Sequence, residues 1–286
     1  MTNYNTKKNS KIHNIFQKIK YQLIGRHFYA ITGPLRLLPN FIIIGAMKSG
    51  TTSLYYNICE HPCVKPASYD EIGYFDVNFH LGKNWYKSMF PTVIEKQRIL
   101  SKFGKFQTGE DTPFYFWNKD AAKRIHNMLP EIKLIIILRD PVYRAYSQYN
   151  NGVRDGLEKL SFEEMLQVEM KNLEEDPSNI YEKFFKSRSV LVKGIYAEQL
   201  KIWYSIFKKE QIHIISTEEL STNAEITMNS VYDFLELPKH KIMKSKKMKS
   251  MKYPKMEQKT KEIISEFYKP HNKKLFELIG KEFNWS

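Results

Sequence analysis

The 286-residue chain has only two cysteines, Cys59 and Cys63, so no disulfide framework holds it and its fold does not depend on an oxidising compartment. Cys59-Glu60-His61-Pro62-Cys63 lacks the two-residue gap of a zinc knuckle, and no second ligand pair occurs elsewhere. A helix end followed by a turn is the reading, and no metal is expected. Long apolar runs are also missing: Phe41-Ile42-Ile43-Ile44 stops at Gly45, far short of the ~20 residues that span a bilayer. Lys7, Lys8, Lys11, Lys18 and Lys20 have no apolar segment behind them, which argues against a signal peptide. A soluble, cytoplasmic protein without a transmembrane segment is the expectation. No internal repeat or low-complexity block stands out.

Acidic residues are absent from residues 1–40, which hold seven basic ones, and residues 239–261 hold ten basic residues against one acidic. The formal net charge is +14, so the body between these segments is close to neutral. Two basic segments on a neutral body suit an anionic ligand or surface better than the uniform basic coat of a nucleic-acid binder. Peripheral membrane contact through the basic arm stays open. Hydrophobic residues make up 42% of the chain and aromatics 14%, enough for a sizeable core.

Residues 1–38 read as a basic N-terminal arm and 39–286 as one domain. Phe41–Ile44 is a short apolar run bounded by Gly45, as expected of a buried parallel strand. Thr51 to Cys59 reads as a helix, Phe106 to Thr108 as a short strand, and Lys119 to Leu129 as a helix closed by Pro130. Leu134-Ile135-Ile136-Ile137-Leu138 is the strongest strand signal, and it leads through Arg139-Asp140-Pro141 into a helix over 142–151. An acidic surface helix over 161–176, a helix over 196–207, a strand over 212–215 and a helix over 224–235 follow. Residues 257–280 read as two helices broken at Pro270. Alternating strands and helices give an α/β fold, a P-loop-like three-layer arrangement with a central parallel β-sheet flanked by helices. Ligands of such sheets bind at the carboxyl ends of the strands, where 45–52 and 139–147 both fall.

Gly45-Ala46-Met47-Lys48-Ser49-Gly50-Thr51-Thr52 lies between a strand and a helix, the context in which backbone N–H groups wrap a phosphate-like anion. A nucleotide P-loop places lysine directly after its second glycine. Here Thr51 occupies that position and the lysine precedes Gly50 by two residues. The loop can hold an anion but lacks the lysine on which a triphosphate enzyme relies. At the second strand end, Arg139 offers a planar fork of donors to a dianionic phosphate, and Ser147, two turns into the next helix, adds a hydroxyl. Taken alone, an arginine in this place is more often a salt-bridge partner, here for Asp140, than a ligand; the loop at 45–52 reverses that reading.

Residues 39–55 resemble the 5′-phosphosulfate loop of sulfotransferases that use 3′-phosphoadenylyl sulfate (PAPS), and Leu138-Arg-Asp-Pro-Val-Tyr-Arg-Ala-Tyr-Ser147 resembles their 3′-phosphate motif. Within that superfamily the chain is most similar to the heparan-sulfate-type branch and its bacterial relatives. Glu71-Ile-Gly-Tyr-Phe-Asp76 is similar to the branch's Glu-x-x-Phe-Phe-Asp, and Glu110-Asp-Thr-Pro-Phe-Tyr115 to its Glu-x-Thr-Pro-x-Tyr. Residues 266–285 are similar to its C-terminal helices. The resemblance runs from about Leu38 to Trp285, and so makes 39–286 a sulfotransferase domain.

The resemblance implies PAPS as donor, 3′-phosphoadenosine 5′-phosphate as product, and no metal. The donor would be held by Lys48, Ser49, Gly50, Thr51, Thr52, Ser53, Arg139, Ser147 and Lys249. Lys48 would also take a catalytic part, and Glu71 matches the branch's catalytic carboxylate, the base that accepts the acceptor's proton. The acceptor would be a small molecule or glycan, best guessed as a carbohydrate hydroxyl or an amine. Two departures stand out. Asp111 occupies the position of a branch lysine, which removes a cation near the acceptor. The donor-closing Lys-Gly-Arg aligns with Lys249-Ser250-Met251, so Lys247 or Lys252 would stand in for the arginine. A P-loop-type kinase and a non-catalytic anion or nucleic-acid binder remain as competing classes. The first would want lysine at Thr51, and the second leaves the two anion-binding turns without a purpose.

Overall fold

The strand residues of this chain are apolar in unbroken runs because both faces of the sheet are covered. A computed structural model describes residues 30–175, 189–241 and 253–285. Its sheet has four parallel strands in the order β2-β1-β3-β4, with β1 at Phe41–Gly45, β2 at Gly109–Asp111, β3 at Lys133–Leu138 and β4 at Ile212–Ser216. The helices are α1 (Thr51–Cys59), α2 (Lys83–Lys87), α3 (Val93–Phe103), α4 (Lys119–Met128), α5 (Pro141–Arg154), α6 (Phe162–Glu175), α7 (Tyr196–Tyr204), α8 (Thr217–Thr222), α9 (Ala224–Phe234) and α10 (Gln258–Ile279).

Side chains alternate across a strand, and the core divides accordingly. Ile42, Ile44, Leu134, Ile136 and Leu138 pack on one face with Ala121, Ala122 and Ile125 of α4 and Leu200 and Trp203 of α7. Phe41, Ile43, Ile135 and Ile137 pack on the other with Leu54, Tyr55 and Ile58 of α1 and Met228, Val231 and Tyr232 of α9. A third cluster joins α5, α6 and α10 through Val142, Phe162, Leu166, Ile264 and Tyr268. These layers are the expected three-layer α/β arrangement.

Two expectations need correction. The strand expected at Phe106–Thr108 lies three residues later, at Gly109–Asp111, where Phe41 pairs with Gly109 and Ile43 with Asp111. Gln107 makes only an isolated bridge to Val64. Gly109 allows the close approach: a Cβ there would run into the ring and carbonyl of Phe41. The charged residues that follow hid the strand, because apolar content is the usual sign of a buried one. The second correction concerns the C-terminal segment, a single helix containing Pro270 rather than two helices. Ile264, Tyr268, Asn272 and Leu275 are buried on both sides of the proline, and their common face holds the helix continuous. Of the arm, only residues 30–38 fall among those described; there Arg36 donates to the Thr32 hydroxyl and the Phe90 carbonyl. Lys247, Lys249 and Lys252 lie outside the described residues.

Pro270 is exposed and deprives its helix of one N–H donor, a defect worth about 3 kcal/mol in a helix interior. Pro270→Ala should therefore raise unfolding stability by about 1–3 kcal/mol, since the proline's stiffening of the unfolded chain offsets part of its cost. Urea denaturation checks this, and a loss of stability would contradict a continuous helix.

Candidate active site

β1 and β3 are neighbours, so the loop after one and the turn after the other leave the sheet side by side. Hydrogen bonds tie them together. Ala46 N–H donates to the Ile137 carbonyl, and Arg139 Nη1 donates to the Lys48 carbonyl at 3.3 Å. Thr217, the first residue of α8, donates its hydroxyl to the carbonyls of both Ser49 (2.6 Å) and Leu138 (3.0 Å). Tyr196 donates its phenol to the Arg139 carbonyl at 2.8 Å.

Gly50 is the N-cap of α1, in left-handed conformation at φ 91°, and no side chain caps the helix. The first N–H groups of a helix have no partner within it, and here the end carries Thr51, Thr52 and Ser53. The partial positive charge of a helix N-terminus adds to that of Lys48. Lys48 Nζ donates to Asn151 Oδ1 at 3.1 Å. Asn151 lies four residues beyond Ser147 on α5, so Ser147 shares the helix face turned to the loop. Burial and the charges of Arg154 and Arg139 lower the Lys48 pKa, while Asp155 and Glu71 act in the opposite sense. Lys48 and Arg139 beside one helix N-terminus suit a multiply charged anion, and a donor carrying two phosphate-type groups fits the residues present; Arg154 is ion-paired with Asp155. The Asp140 carboxylate caps α5 by accepting from Val142 N–H.

Glu71 lies on the opposite side of the loop. Its residue is exposed, its N–H donates to the Asp111 carbonyl at 3.1 Å, and its charge reaches Lys48. Lys48 and Glu71 are two of the three non-glycine residues with positive φ among those described, at 69° and 50°. Such backbone costs about 1–3 kcal/mol per residue and is concentrated at functional sites. The expected site residues within the described chain therefore gather at one end of the sheet. Sequence reasoning missed Asn151 of α5, Tyr196 of α7 and Thr217 of α8, which tie the site together from separate elements rather than forming a motif, and Arg154, whose charge acts on Lys48.

Asp111 is the unusual neighbour. It is buried, neither carboxyl oxygen has a hydrogen-bond partner among the described residues, and burial, aided by Asp70, Glu71 and Glu110, pushes its pKa up to about 8. Asp70 is engaged at the surface, accepting from the Tyr56 phenol at 2.7 Å.

The profile of the sulfotransferase domain family matches residues 38–285. The chain belongs to this family. It is 28% identical to the membrane-associated sulfotransferase kil1 of Dictyostelium discoideum, over 89% of this chain and 68% of that protein. It is 28% identical to heparan sulfate glucosamine 3-O-sulfotransferase 3A1 of Mus musculus, over 87% of this chain and 64% of that protein. The same identity links it to the mouse bifunctional heparan sulfate N-deacetylase/N-sulfotransferase 4, of whose length the chain spans 30%. A sulfotransferase structure from Alicyclobacillus acidocaldarius superposes with a TM-score of 0.64 at 26% identity, covering 86% of this chain and 98% of that one. The chain is accordingly a transferase, and its sheet and flanking helices are those of the family fold. No helix among the described residues is long and apolar enough to cross a membrane.

The raised Asp111 pKa sets a pH dependence of stability. The folded chain keeps on Asp111 a proton that the unfolded chain releases near 3.8, so this group's contribution falls as pH rises from about 4 and levels off above about 8. Asp111→Asn should remove that decline, gaining Tm relative to wild type between pH 5 and pH 8. Parallel Tm profiles for the two proteins would contradict it.

Proposed function

We propose that the chain transfers a sulfuryl group from PAPS to a hydroxyl or amine of a carbohydrate or glycoconjugate. The observation that carries this reading is the join between the loop of Lys48 and the strand end of Arg139, which makes two anion-binding turns one site. When bound, the donor supplies an activated sulfuryl group. Backbone N–H groups and hydroxyls from Ser49 to Ser53 cradle its 5′ end. Lys48 neutralises the charge that builds on the departing phosphate, a role worth more in the transition state than in the ground state. Arg139 and Ser147 hold the 3′-phosphate, and Lys249, which lies outside the described residues, is a further donor contact on the family resemblance alone. Glu71 accepts the proton of the acceptor hydroxyl.

Two of the named relatives are heparan sulfate sulfotransferases, and a sugar acceptor is proposed on that likeness. Dense negative charge in the acceptor does not suit this chain, because Asp111 stands where the resembled branch carries a lysine, which removes a cation, and the carboxylates of Asp70 and Glu71 lie beside it. A neutral or amino sugar is the preferred acceptor. Incubation with labelled PAPS and panels of neutral, amino and sulfated sugars tests this choice. Label transferred to a sulfated polymer alone would overturn it.

Glu71→Gln keeps shape and removes the base, so kcat should fall by about 10²–10⁴-fold with donor affinity nearly unchanged. Arg139→Ala should weaken 3′-phosphoadenosine 5′-phosphate by about 1.5–3 kcal/mol and hardly affect adenosine 5′-phosphosulfate, which lacks the 3′-phosphate. Equal losses for the two ligands in calorimetry would make Arg139 a residue of the fold.

A further inference from the structure

Beneath the turn that carries Glu71 lies a carboxylate to which no role has been given. Glu110, in the middle of β2, is fully buried, with no cation bonded to it among the described residues. It accepts three hydrogen bonds from hydroxyls: Tyr86 to Oε1 at 2.6 Å, Tyr115 to Oε1 at 3.4 Å, and Thr112 to Oε2 at 2.8 Å. An ionised carboxylate can only accept, so each of these hydroxyls turns its proton towards Glu110. Their oxygens are thereby left as acceptors. Two of them are used at once. Gly73 N–H donates to the Thr112 hydroxyl at 3.2 Å, and Phe75 N–H donates to the Tyr115 phenol at 3.2 Å. With Glu71 N–H on the Asp111 carbonyl, three backbone groups of residues 71–75 are fastened to the strand and the turn that follows it.

This fastening meets a specific need. Glu71 is an exposed non-glycine residue in left-handed conformation, a geometry that persists only where the surroundings over-determine it. The neighbouring donors that over-determine it point the right way only while a group at position 110 accepts from all of them. Burial without a cation raises the Glu110 pKa to about 7, against the lowering effect of its three donors. A carboxylate used for packing alone would be replaced to advantage by an apolar side chain.

We propose that Glu110 is a positioning residue: by accepting from Thr112, Tyr115 and Tyr86 it orients two of these hydroxyls to hold the turn that presents Glu71. This rests on Glu71 being the base. Glu110 touches neither donor nor acceptor, so its effect reaches turnover only through the aim of Glu71. Misplacement of a reacting group by about 1 Å costs about 10²-fold.

The test compares Glu110→Gln, Thr112→Val, Thr112→Ser and Glu71→Gln, and the double variant Glu71→Gln/Thr112→Val, with PAPS and a productive sugar acceptor. Thr112→Val keeps the shape of the residue and deletes the link to Gly73, and it serves also if Glu110→Gln fails to fold. Expected are a fall in kcat of about 10–10²-fold in Glu110→Gln and Thr112→Val, affinity for 3′-phosphoadenosine 5′-phosphate within about twofold of wild type, and recovery in Thr112→Ser. Thr112→Val should add almost nothing in the Glu71→Gln background, because the two act through one group. Donor affinity falling in step with kcat, a full additional loss in the double variant, or wild-type kcat in Thr112→Val would each overturn the positioning role. A Glu71→Gln enzyme with wild-type kcat would instead overturn the assignment of the base, a result read independently of the Glu110 arms.

Discussion

The pairing of β1 with β3 is the constraint on which the remaining features depend. Parallel neighbours send their carboxyl ends in one direction, so adjacency in the sheet sets Lys48 and Arg139 beside each other although 91 residues separate them. The arrangement is then locked from outside the sheet by Thr217 at the start of α8 and Tyr196 at the start of α7. Each lock uses a main-chain carbonyl of the loop or of the strand end. The main-chain carbonyls of the loop and of the strand end are thereby engaged by side chains from other elements, while the first N–H groups of α1 have no partner within their helix.

Charge separates across the same end of the sheet. Lys48 and Arg139 stand on the side of β3 and α5, together with Arg154, which Asp155 pairs, and each of the two arginines depresses the Lys48 pKa. Asp70, Glu71, Glu110 and Asp111 stand on the side of β2, where Asp111 feels the other three. Such a division favours an anion on one side and a proton-releasing, non-anionic partner on the other. In the proposed chemistry the group being transferred passes between these sides, and the exposed Glu71 stands at the boundary.

Much of this was legible in the chain itself. The Ile-rich runs of β1 and β3 fixed the sheet because burial on both faces demands apolar residues at every position. The glycine- and hydroxyl-rich loop, Arg139 and Ser147 were legible because anion binding uses few residue types at close spacing. The sequence was silent where polar residues are buried. β2 reads Gly-Glu-Asp, and nothing in that triplet announces a strand or a hydroxyl-lined carboxylate. Pro270 misled for the opposite reason, since the local rule of helix breaking yields to tertiary packing along the α10 face. Asn151 and Thr217 belong to no motif; their meaning comes from the fold that brings them to the loop.

The central claim is that the two strand ends form one site for a nucleotide carrying both a 5′- and a 3′-phosphate group. Thermal unfolding with 3′-phosphoadenosine 5′-phosphate, beside adenosine 5′-phosphate, ATP with Mg²⁺ and an oligonucleotide, tests it directly. The doubly phosphorylated nucleotide should stabilise the chain by about 2.7 kcal/mol at a hundredfold excess over its Kd, and the other three far less at the same concentration. Equal stabilisation by ATP with Mg²⁺ or by the oligonucleotide, or no response to the doubly phosphorylated nucleotide, would contradict it.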